Sequence, residues 1–270
     1  MFTERPDSGT ACCAEAPRRR NLLLKSLPED ELAQLMPLFV RVALVPRRVL
    51  QHAGLPIEHL YFIEEGLVSV FAKVDDGHAA EVWLIGRDGV VGSTVLLGGE
   101  TSNLSHFVQI GGSALRIGVD DLGRAVSQCP SLGEALKGYL HHSLMQSSQS
   151  AACGLRHALL PRLARWLLTA HDRSDMDCLP ITQDLLARSL GVRRPTVSTA
   201  FKDLERGGIF ARDRGVIRIL DRRALERIAC RCYRTLRLQR DKWELSKANR
   251  KVLIAISAFF AAVEIELLAS

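Results

Sequence analysis

The spacing of the apolar residues changes along the chain. Between Val42 and Ile117 they form short β-rich runs separated by Gly, Pro and Asp, which predicts a small antiparallel barrel or roll. Pro28 to Met36 is predicted to be a short helix that Pro37 ends. The predicted strands are 49–50, 60–63, 67–74, 79–85, 90–91, 107–110 and 114–117, with turns at 53–54, 65–66, 75–77, 86–89 and 98–99.

After the predicted roll, the apolar residues recur at intervals of three and four, which predicts a long helix. One face of this helix carries Leu132, Leu136 and Tyr139 and becomes smaller and more polar toward Cys153. Such a face is typical of a dimer seam, and packing of the helix on its own roll is the alternative. A second amphipathic helix is predicted from Pro161 onward, and 174–180 is predicted to be a hinge-like link.

Residues 182–206 have the spacing of two short helices that cross at a steep angle. Gly191 lies where the turn needs a positive φ, and the small Ala187 permits close approach of the helices. Thr182 is placed to cap the first helix, with Asp184 near the positive end of its dipole. The apolar residues at the predicted crossing are Leu186, Leu190, Val192, Val197 and Ala200.

The exposed face of the second predicted helix carries donors for phosphates and base edges, which indicates DNA binding. Gly207-Gly208 should end this helix, and a hairpin about Arg214-Gly215 should follow as a wing. An αα-hairpin that binds no nucleic acid is the alternative. The predicted DNA-binding residues are Arg193, Arg194, Thr196, Ser198, Thr199 and Lys202 in the helix and Arg212 and Arg214 in the wing.

The charge of the chain is unevenly distributed. Residues 156–250 contain 22 Lys and Arg against 11 Asp and Glu, whereas residues 1–155 contain 13 against 17. An evenly solvated surface would not segregate charge in this way. The positive charge lies in the half with the helix-turn-helix, as neutralisation of phosphates requires.

The order of roll, long helix and winged helix-turn-helix resembles the CRP/FNR family of bacterial transcription regulators. The likeness is carried by Gly66, by Gly89-Val90-Val91-Gly92 and by Gln183 to Gly208. It implies an α+β fold with an N-terminal β-roll (a double-stranded β-helix-like jelly roll), a long dimerisation helix and a C-terminal winged helix-turn-helix. It also implies a homodimer on a palindromic operator, contact with RNA polymerase, and Arg194 as the leading base reader.

The resemblance divides the chain into domains. We expect a disordered arm at 1–20, a cyclic-nucleotide-binding-like effector domain at 21–130 and a dimerisation helix at 131–156. The DNA-binding domain should cover 157–233, and a helical extension should cover 234–270, with an apolar run at 252–263 that is too short to cross a bilayer. We predict no membrane span and a cytoplasmic location.

Two regions of the chain depart from the family pattern. Members that bind cyclic AMP have a Glu after the glycine that is here Gly92, and an Arg-Ser pair further on. Here the matching residues are Ser93, Asn103 and Leu104, and together with Gly92 they form the candidate effector pocket. Without the Arg, the anionic phosphate of cyclic AMP loses its main partner, so we do not expect cyclic AMP to be the effector. Pro195 replaces a Glu that contacts a cytosine, so the operator should differ too, and Pro195 should bias Arg194 toward an extended conformation.

The seven cysteines and the histidines of the roll bear on cofactors. The resemblance implies that an iron–sulfur cluster would need four thiolates around the roll, several of them near the N-terminus. Only Cys12 and Cys13 are N-terminal here, so we do not expect a cluster, and we predict neither disulfides nor a metal site. Haem is the cofactor that the sequence leaves open, with His52, His59, His78 and His106 as its candidate axial ligands.

Two other classes of function are weighed against a regulator. A ligand-binding sensor whose helical half contacts proteins would bind DNA no better than a generic basic protein. An enzyme would need a nucleophile–base pair, a metal-ligand spacing or a phosphate-binding glycine loop, and we identify none of these in the sequence. We therefore predict a DNA-binding regulator that is not an enzyme.

Overall fold

The computed structural model describes residues 20–74, 79–174, 176 and 178–241 and shows the predicted α+β fold. A six-stranded antiparallel sheet forms the N-terminal roll, a long helix follows, and helices with a three-stranded sheet form the C-terminal part. Most of the predicted arm, the predicted turn at 75–77 and the apolar run at 252–263 lie outside the described residues. Within them, no helix is long and apolar enough to span a bilayer.

The N-terminal part begins with helices α1 and α2 and a 3-10 turn, and its sheet has the strand order β1-β6-β3-β4, with β2 on β6 and β5 on β3. The predicted helix at 28–36 is confirmed as α2, and the chain continues through Pro37 as the 3-10 turn. The bounds are α1 Leu22–Lys25, α2 Glu29–Leu35, the 3-10 turn Met36–Leu38, β1 Val40–Leu44, β2 Val49–Gln51, β3 His59–Lys73, β4 Ala79–Ile85, β5 Val90–Val91, a second 3-10 turn Ser93–Leu97 and β6 Leu104–Gly118.

Strands β3 and β6 are each longer than predicted. The predicted turn at Glu65-Gly66 is wrong, because β3 passes through it with shifts of register against β6 instead of reversing. Gly66 takes a φ of 95°, and a Cβ there would lie 2.5 Å from the carbonyl oxygen of Ile110. A glycine that resembles a turn signal therefore marks an irregularity within a continuous strand.

The helical part begins after β6, and the long helix is confirmed as α4. The predicted link at 174–180 contains a strand, β7, which pairs with the wing strand β9. The bounds are α3 Val119–Gln128, α4 Pro130–Arg156, α5 Leu159–Ser174, β7 Cys178–Pro180, α6 Gln183–Leu190, α7 Arg194–Arg206, β8 Phe210–Asp213, β9 Val216–Ile219 and α8 Arg222–Ile228, with a last helix, α9, at 231–241.

The apolar face of α4 packs on its own roll. Leu132, Leu136 and Tyr139 are at most 3% exposed and share one hydrophobic cluster with Leu60 and Phe62 of β3. A partner chain could contact them only if this packing were lost. The prediction that these three residues form the dimer seam is therefore corrected: the alternative, packing on the same protomer's roll, describes this face.

The roll and the winged helix-turn-helix share a hydrophobic core. Leu67, Leu84 and Ile110 of the roll lie in the same cluster as Trp166 of α5 and Leu186 of α6. Within the C-terminal part, the rings of Phe201 and Phe210 meet edge to face with centroids 4.9 Å apart, which joins the second helix to the wing. The orientation of the helix-turn-helix relative to the roll therefore depends on buried contacts.

Candidate nucleic-acid interface

The helix-turn-helix forms through the local signals that the sequence contains. The hydroxyl oxygen of Thr182 accepts a hydrogen bond from the backbone N–H of Leu185 at 3.3 Å and caps α6. Gly191 ends α6 with a φ of 65°, in the left-handed region. Val197 and Ala200 turn the inner face of α7 toward α6 and are buried. These contacts fix the angle at which α7, the candidate recognition helix, leaves the turn.

The outer face of α7 lies in solvent. Pro195, Thr199 and Lys202 follow one another at helical spacing on the side opposite the buried Val197 and Leu204. Arg193 and Thr196 are exposed at the start of the helix. The helix therefore presents an open row of polar side chains whose backbone is held by the core behind it.

Arg194 is the first residue of α7, with Pro195 in the first turn. The extended residue before the helix is Arg193, so the prediction that Pro195 holds Arg194 in an extended conformation is wrong. The reason is that the helix starts one residue earlier than the sequence suggested. The Nε of Arg194 lies 3.3 Å from a carboxylate oxygen of Asp184, and both side chains are more than half exposed.

Ser198 has a different environment from its neighbours. Its side chain is partly buried, and its hydroxyl lies 2.7 Å from the side-chain oxygen of Gln183, to which it can donate. This bond ties the start of α6 to α7. The sequence did not reveal the role of Gln183, since the contact exists only once the two helices cross.

The two wing arginines differ in their contacts. Arg212 lies 3.5 Å from a carboxylate oxygen of Glu205, and its guanidinium is 5.7 Å from the centroid of the Phe201 ring. Arg214 is exposed at the tip of the hairpin, where it takes a φ of 44° next to Gly215 at 84°. Arg212 is thus partly engaged within the protein, whereas Arg214 extends into solvent.

The candidate effector residues lie at the edge of the roll. Gly92 has a φ of 87°, and a Cβ there would come within 2.8 Å of the carbonyl oxygen of His59. Ser93 is buried at the start of the second 3-10 turn, whereas Asn103 is exposed and Leu104 pairs with Ala72 of β3. Residues 89–105 contain no Lys or Arg. This segment therefore offers no cation to a phosphate from its own sequence.

Two polar groups on the strands that flank β3 lack hydrogen-bond partners among the described residues. His106 of β6 and Trp83 of β4 both pair with Val70 of β3, so their side chains share one face of the sheet. The Nδ1 of His106 and the Nε1 of Trp83 are the atoms without a partner. Burial lowers the pKa of His106 to about 4, which keeps the imidazole neutral at neutral pH. Of the other candidate haem ligands, His52 is exposed, His59 is partly buried and His78 lies outside the described residues.

The boundary between the roll and the helix-turn-helix contains two hydrogen-bonded carboxylates, of which Glu81 is partly buried and Asp88 is buried. Glu81 of β4 accepts hydrogen bonds from the hydroxyls of Ser69 and Ser189 and from the indole N–H of Trp166, at 2.6–2.7 Å. Asp88 lies 2.9 Å from the Nε of Arg173 of α5. In the sequence, both acids resemble ordinary strand and turn residues, so only the fold reveals their role.

A cluster of three cysteines and a histidine lies where α4 ends. Cys153 and His157 stand one helical turn apart at the end of α4, and Cys230 and Cys232 flank the start of α9. Their candidate ligand atoms all lie within 4.8 Å of one another, and the group could hold a metal ion. The prediction of no metal site overlooked this cluster. Each half has a short ligand spacing, but the halves are distant in sequence.

Two family models match the two halves of the chain. A model described as a cyclic nucleotide-binding domain matches residues 41–129, and one described as a Crp-like helix-turn-helix domain matches residues 161–228. The transcriptional regulator SdrP of Thermus thermophilus is 27% identical over 180 residues, which cover 64% of this chain and 85% of that protein.

Solved structures share the fold at lower identity. FixK2 from Bradyrhizobium japonicum superposes with a TM-score of 0.62 at 18% identity and covers 71% of this chain and 98% of its own. TTHB099, a transcriptional regulator of the CRP family from Thermus thermophilus, has a TM-score of 0.58 at 22% identity, covering 70% and 96%. The solved structures show the shared fold, and the two domain models, which together match more than half of the chain, show that it belongs to the CRP/FNR family of transcription regulators and carries a DNA-binding helix-turn-helix.

Proposed function

We propose that this regulator acts in the cytoplasm as a homodimer that reads a palindromic operator, with α7 of each protomer in a major-groove half-site. The observation that carries the proposal is the outer face of α7, where polar side chains extend into solvent from a helix whose inner face is locked into the core. Arg194 stands at the end of the helix that would enter the groove first. An Arg there can pair with O6 and N7 of a guanine through two hydrogen bonds.

Arg194→Ala tests the assignment of the base reader. Loss of a two-bond contact to a base costs about 1–3 kcal/mol on the selected site and little on random DNA, so the ratio of the two affinities should fall. The operator is first selected from a random DNA library, and both affinities are then measured by fluorescence anisotropy at one salt concentration.

Arg206→Ala is the matched control, because Arg206 is an exposed arginine at the far end of the same helix, where it pairs with Asp203. It should leave the ratio of specific to random affinity unchanged. If Arg194→Ala weakens both affinities by the same factor, Arg194 holds a phosphate and Thr199 or Lys202 becomes the next candidate reader.

The proposed dimer uses the face of α4 that points away from the roll. Leu144 is 60% exposed and Leu155 is 85% exposed, and both lie on the side opposite the buried Tyr139 and His142. Leu140, which is partly buried, and the small Ala151 extend the same stripe. Two such stripes could pack as a pair of helices and would place two copies of α7 on one side of the dimer.

Leu144→Glu tests this face, since a pair of carboxylates facing each other in an apolar seam is strongly unfavourable. Light scattering should show a monomer while circular dichroism shows an intact fold. Leu97→Glu is the control, because Leu97 is a similarly exposed leucine on the roll. A dimer that persists in Leu144→Glu would place the seam elsewhere.

We also propose that the effector is not cyclic AMP, because the segment from Gly89 to Ser105 has no cation for the cyclic phosphate. Titration calorimetry with cyclic AMP checks this. Micromolar binding that is coupled to tighter operator binding would refute it. Contact with RNA polymerase follows from the family resemblance and stays a prediction.

A further inference from the structure

The cysteine–histidine cluster is buried at the joint between α4 and α5. Cys153, Cys230 and Cys232 are at most 8% exposed, and His157 is partly buried at the end of α4. The sulfurs of Cys153 and Cys230 are 3.5 Å apart, and the sulfur of Cys232 lies 3.6 Å from the Nδ1 of His157. Three thiols and an imidazole therefore converge on one point from two segments of the chain.

These separations fit the edges of a coordination tetrahedron. Zinc binds sulfur at about 2.3 Å and nitrogen at about 2.0–2.1 Å, so ligand atoms of a tetrahedral site lie about 3.5–3.8 Å apart. The two closest pairs of the cluster are at this spacing, and all four atoms lie within 4.8 Å of one another. No separation in the cluster exceeds the edge of such a tetrahedron by more than about 1 Å.

The surroundings of the sulfurs also suit a metal thiolate. The side-chain amide of Gln149, one helical turn before Cys153, donates a hydrogen bond to the sulfur of Cys232 at 3.1 Å. Hydrogen bonds from neighbouring groups to ligand atoms are typical of the surroundings of protein metal sites.

We propose that Cys153, His157, Cys230 and Cys232 bind one Zn²⁺ ion per protomer in a closed tetrahedral site. Four protein ligands leave no open position for water, which is the arrangement of a structural zinc site. Zinc is favoured because three thiolates with one imidazole form a ligand set that it binds in other structural sites.

The ion would connect three parts of the molecule. Two of its ligands belong to the end of α4, and two belong to the segment that leads into α9. The backbone N–H of Cys230 also donates to the carbonyl oxygen of Pro161 in α5, at 3.2 Å. A bound metal would therefore fix the end of the long helix against the first helix of the DNA-binding domain.

Metal content tests the proposal directly. Full-length protein, purified under reducing conditions without chelator, should contain about one zinc per protomer by plasma mass spectrometry. In protein stripped of metal, Co²⁺ should produce the visible absorption of a tetrahedral cobalt thiolate, and Zn²⁺ should displace it. Zinc should also raise the thermal midpoint of the stripped protein, because it binds the folded state.

Variants identify the ligands. Cys153→Ser and Cys232→Ser should abolish the cobalt spectrum and the zinc-dependent rise in thermal midpoint, and Gln149→Ala should weaken zinc affinity about 10–100-fold. Cys129→Ser is the matched control, because Cys129 is equally buried but lies in a different cluster. A Cys12→Ser/Cys13→Ser double variant should likewise retain full binding.

Several results would overturn the proposal. They are a wild-type protein that cannot be loaded to one zinc per protomer, zinc binding that survives loss of both Cys153 and Cys232, the visible spectrum of an iron–sulfur cluster, and a Cys153–Cys230 disulfide in the reduced preparation. If the ligand variants do not fold, loading of the wild type with Co²⁺ and Zn²⁺ still decides the matter.

Discussion

Two ion pairs of this protein have similar N···O distances, but one is buried and the other is exposed to solvent. Asp88 and Arg173 meet at 2.9 Å between the roll and α5, and both side chains are 6% exposed. Asp184 and Arg194 meet at 3.3 Å on the surface of the helix-turn-helix, where they are 56% and 64% exposed. The buried pair can dissociate only if the boundary between the roll and α5 opens. The exposed pair is screened by water and can exchange one partner for DNA.

The difference indicates that separate sets of charged residues orient the DNA-binding domain on the roll and face the DNA. The ion pair between Asp88 of the roll and Arg173 of α5 is buried, so it favours one arrangement of the two parts. Arg194 and Lys202 of α7 and Arg214 at the tip of the wing are exposed to solvent, so binding DNA would break few contacts within the protein.

The largest expected effect is that of breaking the buried pair. Asp88→Ala leaves Arg173 as a buried charge without its carboxylate partner, which should lower the free energy of unfolding by about 3–5 kcal/mol. Urea unfolding followed by circular dichroism measures this. Asp203→Ala is the control, because it removes the exposed pair between Asp203 and Arg206 and should cost less than about 1 kcal/mol. Equal costs for the two variants would contradict the contrast between the pairs.

The next effect concerns the pH dependence of stability, which should differ between Glu81 and Asp88. Burial raises the pKa of Glu81 above its ordinary 4.5, against the opposing hydrogen bonds from Ser189, Ser69 and Trp166. Burial also acts to raise the pKa of Asp88, but the charge and hydrogen bond of Arg173 outweigh it, so that pKa is lowered from 3.8. The two acids should therefore contribute to stability with opposite dependence on pH.

For Glu81, the folded state binds the proton more tightly than the unfolded state. Its contribution is fully present below pH 4.5 and is lost as the pH rises through the raised pKa. The stability of the wild type relative to Glu81→Gln should therefore decrease as the pH rises. For Asp88, the contribution is present above pH 3.8 and is lost as the pH falls through the lowered pKa, so the comparison with Asp88→Asn should show the reverse.

Urea unfolding at a series of pH values, with each variant compared with the wild type at every pH, measures both slopes. Glu134→Gln is the control, because Glu134 is an exposed carboxylate whose ion pair, with Lys137 at 3.0 Å, also lies in solvent. Loss of this exposed pair should cost less than about 1 kcal/mol at each pH that is measured. Slopes of the same sign for Glu81 and Asp88 would show that burial dominates at both sites.

The sequence predicted which helices and strands form better than it predicted what their apolar faces pack against. Local signals were sufficient for the helix-turn-helix, because Thr182 and Gly191 act within a few residues of their own position. They were not sufficient for α4. An apolar stripe at helical spacing predicts that Leu132 and Leu136 are buried, but it does not predict which surface they pack against. Gly66 was misread for a related reason: a glycine marks an unusual backbone position, and both turns and bulges need one.

The buried polar sites could not be predicted from the sequence, since they depend on contacts between distant segments. Cys153 and Cys230 are 77 residues apart, and Glu81 is 85 residues from Trp166. Each residue alone is compatible with an ordinary position on a helix or strand. The sequence did contain one indication of the cysteine–histidine cluster, namely the short spacings of Cys153 with His157 and of Cys230 with Cys232. These spacings indicate a metal site only once the fold places the two pairs together.

The smallest predicted effect concerns the wing and tests whether exposure decides which charges meet DNA. Arg214→Gln removes a charge at the exposed hairpin tip, and the slope of log K against log salt should become shallower by about one unit on specific and random DNA alike. Arg212→Gln should change the slope by less, because Glu205 and the Phe201 ring already hold that guanidinium in the protein. Fluorescence anisotropy at four or more salt concentrations measures both slopes. A larger change for Arg212 than for Arg214 would mean that DNA displaces Glu205 and that an engaged charge, rather than the most exposed one, contacts the phosphate.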